Sequence, residues 1–564
     1  MTTPDYSDLF ASLDAAATTA PQKAAPAPMY ASDTDAILAA SKAITGEATV
    51  PGMARPFLPH QAAAYNYVIG SIARRGSAFV GDDMGLGKTQ VALAAIAQYG
   101  RGLVIAPPVA WAGWADDCRA AFPHLRIAQI KGRKVERDAQ GNVVLPDADI
   151  LFISDDALTL RAWLTDGIDA RKRFVLTNLV TDWCNVMVRD EIHRDKGADG
   201  RPAKPTSRAR LMLTVGEALI ARNVPRIGMS GTILTNRPIE ALIPLQILGG
   251  KALVMDVTPG ARNVVGFAYT YCNPTTNGFG TSFAGCERTK MPQLHDLLRR
   301  TVYVRREKTD VGNLPHGGWL VKPIALNGVL TRYRRIEREF LDLVREEEGP
   351  EAMWRKARAE AITRMQAMWE EAGVAKAAAT VEYVADLLDD PDRNGAPVIV
   401  FYYHQAAFDA LLTGFAARHI SCGIINGQVT GDRRRAQINA FQAGRHQVML
   451  AQIKAAGMAV TLTAAPDAVF HQVPWSAGDV AQAASRNLRA DDISRARAAE
   501  GGAVTWHVMQ AAHEDGKPTF DMAMWDVLER KAQVCDAVNA GRPITMPTES
   551  VMQAALDQWY ASAI

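Results

Sequence analysis

Short apolar runs rich in β-branched residues alternate with longer stretches whose apolar positions recur every three or four residues, and this alternation fills two separate parts of the chain. In the first, from Pro56 to about residue 250, the runs are Ala78–Val80, Leu103–Ala106, Ile150–Ile153, Val186–Val188 and Arg226–Met229. In the second, from about Pro397 to Lys531, they are PVIVFYY, SCGIIN, QVMLAQI, AVFHQV and AVTWHVM. Strand and helix in alternation predict an α/β fold with two lobes, each a parallel sheet flanked by helices. Nucleotide then belongs at the carboxyl ends of the strands, facing the cleft between the lobes.

The remaining stretches divide the chain further. Residues 1–50, rich in Ala, Thr, Ser and Pro, read as a mostly disordered arm with one short helix near Asp35–Ala43. Residues 51–310 form the N-terminal lobe, with a loop-rich insertion at about 251–300; 311–393 form a linker and charged helical insertion that projects as paired helices; 394–534 form the second lobe and 535–564 a helical tail. A chain of 564 residues, 48% of them apolar, has room for about three or four units of ordinary domain size.

The formal net charge of +2 neither demands nor excludes a polyanionic partner. Six scattered cysteines without a C-x-x-C pair point to a reduced, cytoplasmic setting, nucleoid-associated or nuclear, and the spacing of Cys272, Cys286 and His295 does not favour zinc. No apolar run is expected to span a bilayer, and the N-terminus lacks the secretory pattern.

The chemistry begins at SAFVGDDMGLGKTQVALAAIA, residues 77–97, a strand feeding a glycine-containing loop that opens into a helix. Gly85 and Gly87 let successive N–H groups of Asp83, Met84, Gly85, Leu86 and Gly87 curl towards phosphate oxygens at a helix N-terminus. Lys88 then reaches the terminal phosphates and Thr89 holds Mg²⁺. The strict form of this loop wants glycine where the chain has Asp82. In NVMVRDEIHRD two carboxylates follow an apolar run, so Asp190 can hold Mg²⁺ and Glu191 can orient or deprotonate water, with His193 placed to link them to the next motif. That motif, MSGTILTNRPIEAL, offers Ser230, Gly231 and Thr232 as a tight hydroxyl-bearing turn suited to sensing a γ-phosphate. In the second lobe QAASRNLR puts Arg486 and Arg489 three apart, on one face if the segment is helical.

The order of these motifs resembles the Swi/Snf family of superfamily-two DNA-dependent ATPases: DDMGLGKT, DEIH, SGTILTNRPIEAL and QAASRNLR each have a counterpart there. The resemblance runs from about Pro56 to Val534 and is strongest to the compact annealing-helicase-like subgroup, through YCNPTTNGFGTSFAG, QLHDLLRRTVYVRREKTDVGNLP and TFDMAMWDVLERK. It implies RecA-like lobes, ATP with Mg²⁺, hydrolysis stimulated by DNA, and remodelling or reannealing of branched duplex. LPHQ resembles the family's adenine-reading element, which assigns Gln61 to the adenine edge. The QA-x-x-R-x-x-R pattern implies that Gln482 lies at the nucleotide and that Arg486 and Arg489 are arginine fingers. KAAGMAVTLTAA resembles a segment that touches the nucleic-acid backbone, which implies a coupling role for Gly457 and contacts from Thr461 and Thr463. IINGQVTGDRRRAQINAFQAG resembles a further family stretch, and its Arg433, Arg434 and Arg435 are a basic cluster able to meet phosphates.

Two departures stand out: Arg189 occupies a place where relatives carry an apolar residue, and Ala490, Asp491 and Asp492 replace the usual Ile-Gly-Gln. The leading reading is an ATP-driven translocase on DNA. A strand-separating helicase on DNA or RNA, and a DNA-binding adaptor with lost or weak turnover, stay open as alternatives.

Overall fold

The computed structural model describes residues 31–195, 197, 205–231, 238–277, 280–283, 286–325, 331–429, 431–456, 460–513, 518–540 and 551–563. Its strands in chain order are β1 (Ser77–Val80), β2 (Gly102–Ala106), β3 (Ile127–Ile130), β4 (Ile150–Ser154), β5 (Thr165–Ile168), β6 (Phe174–Leu176), β7 (Val186–Asp190), β8 (Arg226–Met229), β9 (Thr275–Asn277), β10 (Gly280–Ser282), β11 (Tyr303–Val304), β12 (Gly317–Ala325), β13 (Val398–Tyr402), β14 (Cys422–Ile425), β15 (Val448–Gln452), β16 (Asp467–Phe470) and β17 (Val504–Ala512). Seven of them form one sheet in the order β11-β1-β8-β7-β2-β4-β3 and six form another in the order β12-β17-β16-β13-β15-β14. Every pair within these two sheets is parallel. β5 with β6 and β9 with β10 are small antiparallel hairpins.

Both faces of each large sheet are covered, which is why its central strands are apolar throughout instead of alternating. Along β2, Leu103 and Ile105 face a core with Leu211, Met212, Leu245 and Leu248, while Val104 and Ala106 face another with Val68, Leu93 and Trp114. The second sheet repeats this: Ile399 and Phe401 of β13 point one way, Val398, Val400 and Tyr402 the other. The fold class is the α/β arrangement of two parallel-sheet lobes that the alternation predicts.

Register places the chemistry. Val80 pairs with Met229 and Met229 with Asp190, so β1, β8 and β7 end in one row. The phosphate loop, the Ser230–Gly231 turn and the acidic pair therefore emerge side by side from the carboxyl edge of the first sheet.

Three strands of the two large sheets escaped the sequence pattern. β11 has only two residues, β3 is a half-buried edge, and β12 is a largely exposed edge that pairs with β17 although it precedes the second block of apolar runs. The helical stretch also differs from expectation. Helices Thr331–Glu346 and Arg358–Ala375 do not project but bury Tyr333, Phe340, Met365, Met368 and Trp369 in the second lobe. A charged sequence hides this because only one side of each helix is apolar. The insertion near 251–300 contains helices Val265–Tyr271 and Met291–Thr301, with Phe267 and Tyr271 buried.

The terminal segments pack as well. Residues 1–30 of the arm lie outside the described residues, but helix Ala31–Lys42 buries Ile37, and the Arg299 and Arg306 guanidiniums donate to the carbonyls of Ser41 and Ala43 at 2.9 and 2.8 Å. In the tail, helix Val551–Ala563 stacks Trp559 on Phe340 with centroids 5.4 Å apart. One stretch, Pro238–Asp256, is long and apolar enough to cross a membrane, contrary to the sequence expectation. It lies mostly inside the first lobe and breaks at Gly250.

Candidate functional site

β1 delivers the chain to a loop in which Gly85 and Gly87 take φ of +92° and +84°, backbone that side chains other than glycine's resist. Gly87 then starts helix Lys88–Tyr99, so the loop N–H groups gather at a helix N-terminus. Asp82, in the place of the missing glycine, is buried and held by Arg306, whose main-chain N–H and guanidinium donate to its two oxygens at 2.9 and 2.8 Å. Asp83 receives Arg305 at 2.7 Å and the Lys308 N–H at 3.1 Å. Arg305 also donates to the carbonyls of Gly81 and Gly231, both at 2.8 Å, tying the loop to the turn after β8. The departure at Asp82 is thus one half of a clamp whose other half is the Arg-Arg-x-Lys stretch after β11. Lys88 donates to the carbonyls of Asp82 and Asp83 at 2.7 and 3.3 Å; burial draws its ammonium below the usual range, against the pull of Glu191, Asp82, Asp190 and Asp83.

The acidic pair rests on Arg189. This guanidinium is wholly buried under the sheet edge, donating to Asp195 at 2.6 and 3.1 Å, to Asp155 at 3.2 Å and to the Ile105 carbonyl at 3.2 Å. Arg208 and Arg194 complete the network, 3.0 Å from Asp195 and 3.2 Å from Asp155. Arg189 therefore locks the ends of β2, β4 and β7 together below the edge that carries Asp190 and Glu191. Its neighbour Asp190 accepts from Trp114 Nε1 at 3.1 Å and from the Glu191 N–H at 3.0 Å. Glu191 sits in left-handed backbone, φ +52°, which turns its carboxylate out of the strand line to a place 3.2 Å from His193 Nδ1. That nitrogen also lies 2.7 Å from Ser230 Oγ, so His193 bridges the acid pair and the next motif.

The carboxyls are driven apart. Burial and the adjacent Glu191 push Asp190 up, whereas Glu191, although burial opposes it, is held low by His193, Lys88 and Arg486. Glu191 is thus favoured as the carboxylate, while for Asp190 burial and Glu191 outweigh the pull of Trp114, Lys88 and Arg189.

The second lobe closes the site. Arg486 lies close enough to Glu191 for the two charges to act on each other, and its Nε donates to the Gln482 carbonyl at 2.9 Å. Burial and Arg489 push Arg486 down to about 9. Arg489 lies over the phosphate loop so closely that a Cβ on Gly85 would stand 3.0 Å from its Cγ, and its buried Nε has no hydrogen-bond partner. Ala490 N–H donates to the Gly85 carbonyl at 3.1 Å across the lobes. The Ala-Asp-Asp departure has a local reason: Asp491 caps helix Asp492–Ala499 and accepts from Thr463 at 2.6 Å, while Asp492 points into solvent. The structure thus gathers Lys88, Asp190, Glu191, His193, Ser230, Gly231, Arg486 and Arg489.

Other expectations change. Gln61 does not present its amide to a ligand: Oε1 accepts from the Leu58 N–H at 3.0 Å and Nε2 donates to the Leu86 carbonyl at 3.2 Å, so it braces the phosphate loop. Gln482 contributes its carbonyl to Arg486 and its side chain is only half-buried. Thr463 is buried and bonds Asp491, and Arg434 spends its Nε and one Nη2 N–H on the Val429 and Asn426 carbonyls at 2.9 and 2.8 Å. Arg433 is exposed and Thr461 half-exposed. Arg435 reaches Asp116 of the first lobe at 2.9 Å. Thr89 is half-buried at the start of its helix. Gly457 and Thr232 lie outside the described residues. Sequence reasoning missed Asp82, Arg305, Arg306, Lys308 and Trp114; the match of an Asp-Asp pair to an Arg-Arg pair was the available signal.

The model of the helicase conserved C-terminal domain matches residues 379–491. The DNA annealing helicase and endonuclease ZRANB3 of Mus musculus is 26% identical over 486 residues, 84% of this chain and 40% of its own length. The Caenorhabditis elegans homolog of SWI/SNF-related matrix-associated actin-dependent regulator of chromatin subfamily A-like protein 1 is 24% identical over 498 residues, 87% of this chain and 63% of its own. The chain thus spans less than two thirds of the length of these curated relatives. The Sulfolobus solfataricus SWI2/SNF2 ATPase core in complex with dsDNA aligns over 88% of this chain and 95% of that one, with TM-score 0.35 and 16% identity, values on which nothing further rests. With the helicase domain match, relatives aligned along most of the chain and the motifs in the same order, this chain is similar to Swi/Snf-family helicase-like proteins, annealing helicases among them.

Proposed function

We propose that this chain hydrolyses ATP when bound to DNA and uses the cycle to move along or reanneal duplex or branched DNA, largely without regard to sequence. The observation that carries this reading is the meeting of two lobes over one loop: Arg489 on Gly85, Arg486 facing Glu191, and Lys88 beneath them. DNA as the partner is inferred from relatives such as the DNA annealing helicase and endonuclease ZRANB3. A backbone grip of this kind weakens as salt rises.

In this mechanism the loop N–H groups and Lys88 hold the phosphates. The ionised Glu191 orients the attacking water and takes its proton, and His193 carries the change at Glu191 to Ser230. Arg486 and Arg489 offset charge on the γ-phosphate, a contribution on the order of a thousand-fold or more in rate. Among the described residues no cluster of three or more His, Cys, Asp or Glu side chains is arranged to hold a metal, which suits an ion kept mainly by phosphate and water. Thr89 and Asp190 would hold Mg²⁺, the Asp190 carboxyl being pushed up by burial and by Glu191. When bound, the ion neutralises phosphate charge.

Steady-state ATPase assays with single-stranded, duplex and forked DNA test the proposal. Duplex or forked DNA is expected to stimulate turnover, and Lys88→Ala or Glu191→Gln to abolish it in a protein that stays folded. Full residual turnover in either variant rejects the assignment; stimulation by single strands alone favours a strand-separating helicase.

A further inference from the structure

The stretch after β11 holds one charge that the loop clamp does not use. Arg305 and Arg306 are matched to Asp83 and Asp82, but Lys308 contributes only its main-chain N–H, to Asp83 at 3.1 Å. That bond pins the start of the short helix Lys308–Val311 against the phosphate loop. The Lys308 side chain is half-buried there and makes no ion pair or hydrogen bond among the described residues. Around its ammonium stand Lys88 of the first lobe and Arg486 and Arg489 of the second, with Asp83 as the nearby opposite charge. Arg489, in the same group, keeps a buried Nε without a partner. Four cations from three separate segments converging on one side of a loop repel one another unless an anion of high charge lies among them.

Building on the ATP-hydrolysing reading above, we propose that Lys308 is a further phosphate-binding residue, its ammonium meeting the polyphosphate together with Lys88. It contacts substrate only when the lobes close, because two of its cationic neighbours come from the second lobe. Burial, with Arg489, Arg486 and Lys88 around it, pushes the Lys308 ammonium down to about 7 despite Asp83. On its own segment Arg305 is engaged by Asp83 and has Glu307 as a further neighbouring charge. Near neutrality the free protein therefore holds this site partly uncharged, and a bound polyphosphate restores its proton. Nucleotide binding takes up a proton, so affinity falls as the pH rises from about 7 towards 9.

The test is titration of the full chain with fluorescent mant-AMPPNP and Mg²⁺ at several pH values, for the wild type, Lys308→Met and Lys308→Arg. Lys308→Met is expected to weaken binding roughly tenfold at about pH 6.5, the loss of one charge-assisted contact, and to flatten the pH profile. Lys308→Arg is expected to keep tight binding with a flat profile, because guanidinium does not titrate there. Unchanged affinity and pH slope in both variants overturn the inference while leaving the ATP reading intact. A wild type that binds no mant-AMPPNP overturns both. If Lys308→Met fails to fold, calorimetry of the wild type in two buffers of different ionisation enthalpy decides: proton uptake at about pH 7.5 supports the role, and none rejects it.

Discussion

Arg189→Met removes the buried guanidinium that holds three strand ends together, while leaving a side chain of similar length. Five hydrogen bonds disappear, at 2.6, 3.1, 3.2, 3.2 and 2.5 Å, the last to the Asp190 carbonyl. Each charge-assisted bond contributes about 1.5–3 kcal/mol, but much of that only offsets the cost of burying the charge. What decides the outcome is the fate of the acids left behind, and breaking a buried pair costs about 3–5 kcal/mol. Asp155 keeps Arg194 at 3.2 Å and Asp195 keeps Arg208 at 3.0 Å, so the lower end of that range applies, about 3 kcal/mol. With an m-value of about 3 kcal/mol per molar urea for a lobe of this size, the first unfolding transition moves down by about 1 M. Urea titration followed by circular dichroism reads this, fitted to the first transition because two lobes need not unfold together. A midpoint shift under about 0.3 M at unchanged m would refute the reasoning that this network supports the sheet edge beneath Asp190.

Two further outcomes are expected. Gly87→Ala places a Cβ 2.1 Å from Gln61 Nε2 at a φ of +84°, so it should displace the glutamine brace, cost about 1–2 kcal/mol in thermal unfolding and weaken nucleotide binding; wild-type melting and binding would contradict it. His295, accepting from Arg299 Nε at 2.8 Å, is pushed down to about 3 by burial and by Arg299 and Arg305. The unfolded histidine takes up a proton near its ordinary 6.5 and the folded one does not, so stability is full above that pH and declines as pH falls, by about 1.4 kcal/mol per unit until about 3. Urea midpoints at pH values from about 7 to 4 should show an acid-side slope shallower by this amount in His295→Gln, and equal slopes would exclude the histidine as its source.

The sequence by itself determined the α/β class, the two blocks of parallel strands and the positions of the phosphate loop, the acid pair and the paired arginines. It could do so because strand burial and phosphate binding are local demands: an apolar run, a glycine where φ is positive, a lysine at a helix start. Sequence distance hides everything that depends on a partner brought from elsewhere. Asp82 read as a fault in the loop until folding set Arg306 beside it, and Arg189 read as an anomaly until Asp155 and Asp195 closed on it. Gln61 and Thr463 have the side chains for ligand contact, but local packing gave their polar atoms to the main chain and to Asp491. Only the tertiary structure decided these cases, because a charge or an amide has no assigned partner until the chain has closed around it and excluded water from the alternatives.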